Sequence, residues 1–272
     1  MTASPNNKKS TYSVKSSLAN LGYNEVVSYS FIDKETDEEL HSNLDVIQLQ
    51  NPIASQMNVM RSKLWGSHIE TLIYNLNRGQ NNIRIFEIAP VYQKIKSDFR
   101  ETLMLSGLVY GDSTPEQWGN DKREVNFYDI KGDIEIISSK TLNIDTPKNT
   151  VPEIFHPGQA AELIMDQTSV GWLGQLHPAW QQKYELIGKT YLFELLMESL
   201  IDVEDLKINL PSKFPPLRRD ISVLVDRNVN VGDIVNEVKA QIDDRVIDFY
   251  PFDIYEGKGI ENSKKSIAFL IL

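Results

Sequence analysis

The 272-residue sequence contains no cysteine, which excludes disulfide bonds, thiolate zinc sites and a cysteine nucleophile. It has no apolar run near the roughly 18 residues that a membrane-spanning helix needs. Its first residues, MTASPNNKKSTYS, lack the apolar core of a secretory signal. Glycine-rich phosphate loops, nucleophile elbows and Ser/His/Asp sets are absent as well. These absences make a cytoplasmic protein the default and leave no recognisable catalytic motif.

Positive charge is scarce, since 28 Lys and Arg stand against 38 Asp and Glu for a net charge of −10. That balance argues against a broad nucleic-acid surface, which needs a basic field. The acidic excess is uneven: residues 1–206 hold 18 basic and 28 acidic side chains, whereas residues 207–272 hold 10 of each. If RNA is bound, the last part of the chain is the more favourable place.

Apolar residues make up 41% of the chain and charged residues 24%, which is typical of a globular protein with a sizeable core. Apolar residues at three- and four-residue steps predict helices, and alternating or β-branched runs predict strands. Helices are predicted at 11–21, 33–43, 62–77, 127–142 and 231–242. Strands are predicted at 25–32, 45–52, 82–93, 101–111, 159–166, 169–178, 218–226, 245–257 and 265–272. Residues 190–201 are predicted as one more strand, or as a strand running into a turn.

The pattern breaks at residues 202–213, a proline-containing stretch without periodicity that we interpret as an inter-domain linker. The elements that follow it come in the order strand, helix, strand, strand. A ferredoxin-type domain would continue with one more helix and one more strand, so we expect this domain to be C-terminally truncated.

Several stretches together carry a family resemblance. They are LQNPIASQMNVMRSKLWGSHIETLIYNLNRGQNNIRIFEIAPVY, FHPGQAAELI, GWLGQLHP and FPPLRRDISVLVD, followed by FYPFDIYEGKGIENSKKSIAF. In this order and spacing, they resemble the C-terminal part of the β subunit of bacterial phenylalanyl-tRNA synthetase, over nearly the whole chain.

The resemblance implies an α+β fold with two domains. Residues 1–206 would form a catalytic-like but non-catalytic class II synthetase module, an antiparallel sheet flanked by helices. Residues 207–272 would form a truncated βαββ ferredoxin-fold anticodon-binding domain. The N-terminal modules of the subunit, including its editing domain, would lie outside this sequence.

The resemblance also implies the partners and cofactors. The partners would be the α subunit, in an α2β2 holoenzyme, and tRNA(Phe). The holoenzyme would use ATP and Mg²⁺ to attach phenylalanine to that tRNA, with no cofactor in this part. The alternative is a freestanding RNA-binding or regulatory paralogue of a synthetase. The isolated chain is expected to expose apolar surface, so it could also form a homodimer.

Arg84 and Glu87 lie inside an otherwise apolar strand, NIRIFEIAPVYQ. In working enzymes of this class, an Arg on such a strand holds a substrate anion, and a second Arg near the end of the module stacks on adenine. Residues 169–201, which correspond to that second element, contain no arginine. We therefore interpret Arg84 and Glu87 as an in-sheet ion pair or a contact to a neighbouring subunit.

The long predicted helix has a broad apolar face that either packs in the core or meets the α subunit. The candidate interface residues are Trp65, Ile69, Tyr74, Arg84 and Glu87.

For tRNA contacts, aromatic side chains on an open sheet can stack on bases while lysines hold the backbone. The candidates are Arg218, Arg219, Tyr250, Phe252, Lys258, Lys264 and Lys265. Arg219 is expected to pair with Asp220 at the start of the strand. For Arg218, a structural role and a contact to tRNA are equally compatible with the sequence. Phe249 is expected on the opposite face from Tyr250 and Phe252.

No metal site is predicted. His156 and His177 each precede a proline, and we interpret them as turn-fixing residues rather than metal ligands. Asp129 and Asp133 lie one helical turn apart, a spacing that suits either Mg²⁺ or, as we prefer, a solvated acidic face.

Overall fold

The computed structural model describes residues 11–40, 46–96, 98–138, 142–147, 149–201, 215–242 and 245–272. The chain divides into two compact units, Met1–Asp205 and Leu206–Leu272. The predicted linker at 202–213 lies outside the described residues.

The first unit contains six helices and ten strands among the residues that are described. In chain order they are α1 (Thr11–Asn20), β1 (Asn24–Glu25), β2 (Phe31–Ile32), α2 (Lys34–Leu40), β3 (Ile47–Gln48), β4 (Val59–Met60), α3 (Trp65–Leu76), β5 (Ile83–Ile95), β6 (Asp98–Tyr110), α4 (Phe127–Ser138), β7 (Asn143–Asp145), β8 (Phe155–Met165), β9 (Thr168–Leu176), α5 (Pro178–Lys183), β10 (Thr190–Leu196) and α6 (Glu198–Ile201).

A seven-stranded sheet in the order β1-β5-β6-β10-β9-β8-β7 forms the centre of this unit. All neighbouring strands are antiparallel except β1, which runs parallel to β5. A small antiparallel sheet, β2-β4-β3, is separate from it in strand pairing. The α+β prediction is confirmed, and β6 lies inside the sheet between β5 and β10.

Helices cover both faces of the large sheet. On one face, Leu18 of α1 and Ile134 of α4 pack with Phe193 of β10. On the other face, Trp65 and Leu72 of α3 pack with a second set of buried residues. Strands that are buried on both sides need apolar residues at successive positions, which explains the continuous apolar runs of β6 and β10. None of the helices among the described residues is long and apolar enough to cross a membrane.

One close approach between strands depends on a glycine. A Cβ atom at Gly107 of β6 would lie 2.4 Å from Cζ of Phe193 and 2.9 Å from the carbonyl oxygen of Ile85. Because no side chain projects there, the Phe193 ring lies directly over the β6 backbone. The Phe193 ring therefore fills the space that a side chain at position 107 would need.

The strand predicted at 25–32 was wrong over most of its length, because only Asn24–Glu25 and Phe31–Ile32 form strands. The reason lies in Ser28, whose backbone N–H donates to Oε1 of Glu87 at 3.1 Å and whose hydroxyl donates to Oε2 at 2.6 Å. A side-chain carboxylate thus takes the place of a strand neighbour.

The second unit contains β11 (Arg219–Asp226), α7 (Val231–Gln241), β12 (Phe249–Tyr255) and β13 (Lys264–Ile271) among its described residues. They form an antiparallel sheet in the order β11-β13-β12, so β13 is the central strand. The buried residues Phe249, Ile267 and Phe269 pack with the apolar side of α7 on one face. The predicted order strand, helix, strand, strand is confirmed.

Candidate functional site

A row of mostly polar side chains crosses the large sheet. Pairing aligns one residue from each of six strands, namely Glu87, Ser106, Glu194, Trp172, Glu162 and Asp145. Four of the six are carboxylates, and three of these carboxylates are buried. A buried carboxylate is costly without a partner, so the row must recruit cations or hydrogen-bond donors.

Arg61 neutralises the Glu87 end of this row. Its Nη1 lies 3.3 Å from Oε1 of Glu87 and donates to Oγ of Ser28 at 2.7 Å, while its Nε donates to the Pro90 carbonyl at 3.1 Å. Arg61 and Glu87 are both almost fully buried. The pair is therefore an internal charge network and offers no free cation to a ligand.

Lys63 plays the same part for Glu194. Its Nζ lies 2.9 Å from Oε1 of Glu194, and the backbone N–H of Leu64 donates to Oε2 at 2.9 Å. Apart from the ion pair, Oε1 has no hydrogen-bond partner among the described residues. Glu194 is thus held from two sides at the start of α3.

Arg84 has a partner other than the predicted one. Its Nη1 donates to Oδ2 of Asp133 at 3.0 Å, and its Nη2 donates to the Ser113 carbonyl at 3.1 Å. The in-sheet pair of Arg84 with Glu87 was wrong, because residues three positions apart on a strand point to opposite faces. The two charges serve different networks on the two sides of the sheet.

Asp133 is also not on a solvated acidic face, since its side chain is only 13% exposed. It accepts hydrogen bonds from Arg84 and, at 2.8 Å, from the hydroxyl of Tyr23. Burial raises the pKa of Asp133, and those two partners oppose the rise. Asp129, one turn earlier, pairs with Arg123, whose hydrogen bonds lower the pKa of Asp129.

No group of three His, Cys, Asp or Glu side chains that could hold a metal ion occurs in the described part of the chain. Both histidine rings are hydrogen-bonded to nearby backbone, but His156 lies in strand β8 and only His177 fixes a turn into a helix. Nδ1 of His156 accepts from the backbone N–H of Gly158 at 3.0 Å, and Nδ1 of His177 accepts from that of Ala179 at 3.1 Å. His177 thereby caps α5.

His68 of α3 is a titratable group that the sequence did not single out. It is fully buried beside Glu87 and Arg61, and burial lowers the pKa of its imidazole to about 4, against the opposing effect of the Glu87 carboxylate. The folded state therefore binds this proton less readily than the unfolded state, whose histidine titrates near 6.5.

Acidification should consequently destabilise the first unit through His68. As the pH falls from about 6.5 to about 4, the contribution of His68 to the free energy of unfolding should decrease by up to about 1.4 kcal/mol per pH unit. Urea unfolding of the wild type and His68→Gln at pH 7, 6 and 5 measures this, and the stability difference between them should narrow at low pH. His68→Met should give the same pH profile. A difference that is constant with pH would contradict the assignment.

Beside the start of α3, the sheet opens into a cleft of about 740 Å³. Its charged lining residues are Lys63, Arg100, Glu101, Glu194 and Glu198. Three carboxylates against two cations make the lining net negative. A polyphosphate does not suit such a surface, because the lining is net negative and one of its two cations, Lys63, is already paired with Glu194.

Two of the expected interface residues need correction. Trp65 and Ile69 are each 1% exposed and pack in the core beneath α3, so neither side chain presents an outer surface to a protein subunit. Tyr74 of the same helix is 57% exposed, and the Arg78 guanidinium lies 3.3 Å from its ring centroid. Buried Glu87 and half-buried Arg84 are likewise committed to internal pairs.

The open face of the β11-β13-β12 sheet carries exposed aromatic side chains. Tyr250 and Phe252 are both exposed on β12, whereas Phe249 is buried beneath α7, as the alternation predicted. A register shift between Pro251 and Asp253 makes Phe252 an extra residue in its strand. Bulges of this kind turn a side chain away from the regular ladder.

Arg218, and not Arg219, pairs with Asp220. Nε and Nη2 of Arg218 donate to the two carboxylate oxygens at 2.9 and 3.0 Å. The prediction for Arg219 was wrong because adjacent residues on a strand point to opposite faces, whereas residues two apart share one. The Arg218 guanidinium also lies 5.6 Å from the Phe252 ring centroid, so it belongs to the aromatic face.

The three candidate lysines do not form one group. Lys258 is exposed in the loop after β12. Lys264 and Lys265 are not in that loop but begin β13, where they project from opposite faces. Nζ of Lys264 lies 3.4 Å from Oε2 of Glu261. Lys265 lies opposite Val225 in the neighbouring strand, and the Val225 side chain packs beneath α7.

Sequence reasoning missed the pairs formed by Arg61 and Lys63. Two signals were present: the basic residues alternate in VMRSKLW, and Glu194 is the single charge in the apolar strand TYLFELL. A lone carboxylate in a strand buried on both faces requires a buried partner, but the sequence does not reveal which cation approaches it.

Comparison with known families supports the geometry. Residues 1–197 match the family model described as phenylalanyl tRNA synthetase beta chain CLM domain, and residues 212–272 match the ferredoxin-fold anticodon binding domain. Curated relatives named phenylalanine–tRNA ligase beta subunit include those of Chromobacterium violaceum and Dechloromonas aromatica. The first is 40% identical over 272 residues, with 100% of this chain and 34% of the relative covered. The second is 37% identical over 280 residues, with 100% and 35% covered.

The chain therefore spans about a third of the length of the curated relatives it matches. Among solved structures, it is similar to Desulfitobacterium hafniense PylSc, a pyrrolysyl tRNA synthetase. The TM-score is 0.51 at 17% identity, over 71% of this chain and 66% of that chain. At that identity, the similarity concerns the fold alone.

Proposed function

Because the chain belongs to the phenylalanyl-tRNA synthetase beta chain family, we propose that it serves as a non-catalytic part of a phenylalanine–tRNA ligase. In this proposal, the α subunit carries out the ATP- and Mg²⁺-dependent attachment of phenylalanine to tRNA(Phe). This chain contributes a surface for the α subunit in an α2β2 assembly and contacts the tRNA on its anticodon side.

The pairing of the central cations supports the non-catalytic role. Arg61, Lys63 and Arg84 each face an internal carboxylate, at 3.3, 2.9 and 3.0 Å respectively. A triphosphate and its metal ion would have to displace those carboxylates, at the cost of leaving buried negative charges unpaired. The residues present therefore do not fit ATP, and no chemical step is assigned to them.

The exposed aromatic face of the second unit is the observation that carries the RNA-binding role. Tyr250 and Phe252 are exposed on the side of the sheet that α7 leaves open, and Arg218 lies beside Phe252. Unpaired bases stack on such rings and on arginine planes. Lys258 and Lys264 are the cations available to phosphates near this face, whereas Arg219 and Lys265 project from the other face.

For the α-subunit contact, the proposal rests on the exposed apolar residues of the first unit. Tyr74 is the candidate interface residue that is exposed, and Val27, Tyr29 and Ile53 are exposed as well. These side chains lie on α3 and in the segments around β2 and β3. Scattered exposed apolar residues are ordinary, so this part of the proposal requires these side chains to form one contiguous patch.

The first test is assembly. We expect the chain, mixed with a separately purified α subunit, to form a stable complex whose mass is measured by size-exclusion chromatography with light scattering. The chain alone should form no aminoacyl-adenylate. Two folded partners that stay apart would instead favour the freestanding RNA-binding paralogue.

The second test concerns the RNA face. Tyr250→Ala with Phe252→Ala should weaken binding of tRNA(Phe) at least about tenfold, because each stacked base is worth about 1–3 kcal/mol. Fluorescence anisotropy at a fixed salt concentration measures the affinity. Tyr128→Ala is the matched control, since Tyr128 is an exposed tyrosine of the first unit. Equal affinities of the double variant and the wild type would reject this face as the RNA contact.

A further inference from the structure

The cleft beside α3 contains a buried carboxylate that faces its interior. Glu194 is 1% exposed and lines the cleft from the central strand β10. One of its oxygens accepts from the Leu64 backbone, and the other is within reach only of the Lys63 ammonium among the described residues. The charge of Glu194 is therefore balanced by a single side chain that enters from the cleft.

The ammonium group of Lys63 occupies a position typical of a bound organic cation. It lies 2.9 Å from the Glu194 carboxylate and 5.1 Å from the ring centroid of Trp65. A carboxylate together with an indole face is a common way to bind a desolvated ammonium. Lys63 itself is 22% exposed at its side chain, so its flexible stem can turn towards solvent without crossing the core.

We propose that this cleft binds a small primary ammonium that carries an apolar group, and that the Lys63 ammonium holds the ligand's position when the cleft is free. The ligand would enter between Glu194 and Trp65 and displace Lys63. This binding activity is separate from the contacts with the α subunit and tRNA.

The rest of the cleft agrees with such a ligand. Val91, Met104, Val170 and Leu196 supply apolar walls. A volume of about 740 Å³ falls within the usual range for small-molecule sites. The net negative charge of the lining favours a cation over a phosphate or a carboxylate.

Competition with Lys63 makes the proposal testable. If a site is open for only a fraction of the time, the apparent affinity for its ligand is the intrinsic affinity multiplied by that fraction. Removing the ammonium with Lys63→Met should therefore strengthen binding of an amine, by about tenfold if Lys63 occupies the position nine-tenths of the time. A purely structural ion pair predicts no such gain.

The probes are cyclohexylmethylammonium and its neutral counterpart cyclohexylmethanol. Binding is followed in the full chain by NMR of the tryptophan indole N–H groups, assigned by Trp→Phe variants. Trp65 and Trp172 line the cleft, whereas Trp118 and Trp180 do not, so the latter two are internal controls. We expect saturable shifts of the first two resonances with the amine, and none with the alcohol.

The variants separate the possible outcomes. Glu194→Gln keeps an acceptor for the Leu64 N–H but removes the charge, and should weaken amine binding at least about tenfold. Lys183→Met is the matched control, since Lys183 also pairs with a glutamate and lies 5.2 Å from a tryptophan ring, but on the surface. Equal response to amine and alcohol, or no gain in Lys63→Met, would overturn the proposal. The wild-type comparison of the two probes decides the matter even if a variant does not fold.

Discussion

Replacing Arg61 by methionine should lower the free energy of unfolding of the first unit by about 3–5 kcal/mol. The substitution leaves the Glu87 carboxylate, which is 3% exposed, without its cation in a site that water does not reach. It also removes the donors to Ser28 and Pro90. The loss of stability arises because the Glu87 carboxylate is left buried and unpaired, not because the ion pair itself contributes much net stability.

A double replacement tests that reason. Arg61→Met together with Glu87→Leu removes both charges, so much of the lost stability should return. Arg123→Met is the control, because the Arg123–Asp129 pair is exposed at the arginine and should matter little. Unfolding in urea is followed by tryptophan fluorescence, which reports on the first unit because it holds all four tryptophans. A double variant no more stable than Arg61→Met would contradict this account.

Phe193→Ala should cost the same unit about 3–5 kcal/mol, the usual range for a fully buried phenylalanine. Phe193 contacts Tyr23 edge to face, with ring centroids 6.0 Å apart, and lies over Gly107. Because the backbone of β6 is fixed by strands on both sides, the cavity should not close. Phe99→Ala, at a 63% exposed position, should change stability by less than about 0.5 kcal/mol.

The glycine beneath the ring provides a second, independent check. Gly107→Ala places a Cβ 2.4 Å from the Phe193 ring, so it should be destabilising in the wild type. In a Phe193→Leu background, the ring edge is gone and the cost of Gly107→Ala should be smaller. Equal costs in the two backgrounds would show that the ring and the glycine are not packed together as described.

Periodicity predicted the helices that have one apolar face and the strands that are apolar on both faces. The helix α4 has Ile130, Ile134 and Ile137 on one side, and all three are buried. Residues 103–110 of strand β6 are apolar apart from Ser106, and β6 is internal in the sheet. Both patterns follow from local geometry alone, which is why the sequence suffices for them.

The charged pairs could not be predicted in the same way. Arg84 finds Asp133 across 49 positions, and Lys63 finds Glu194 across 131 positions of the chain. Which cation reaches which carboxylate depends on how helices lie over the sheet, and no local pattern encodes that. Strand alternation does exclude some pairs, and applied to the sequence alone it rules out Arg84 with Glu87 and Arg219 with Asp220.

The central position of β13 affects when the sheet of the second unit can form during synthesis. Among the described residues, β11 and β12 do not pair with each other, so within this sheet each finds its strand partner only after β13 has been synthesised. Until then, two edge strands and the apolar side of α7 remain without their main contacts, which is the state most open to misassociation during synthesis. The β11-β13-β12 sheet should therefore form late in synthesis, and the pairing of β11 with the sequence-distant β13 should make that step slow.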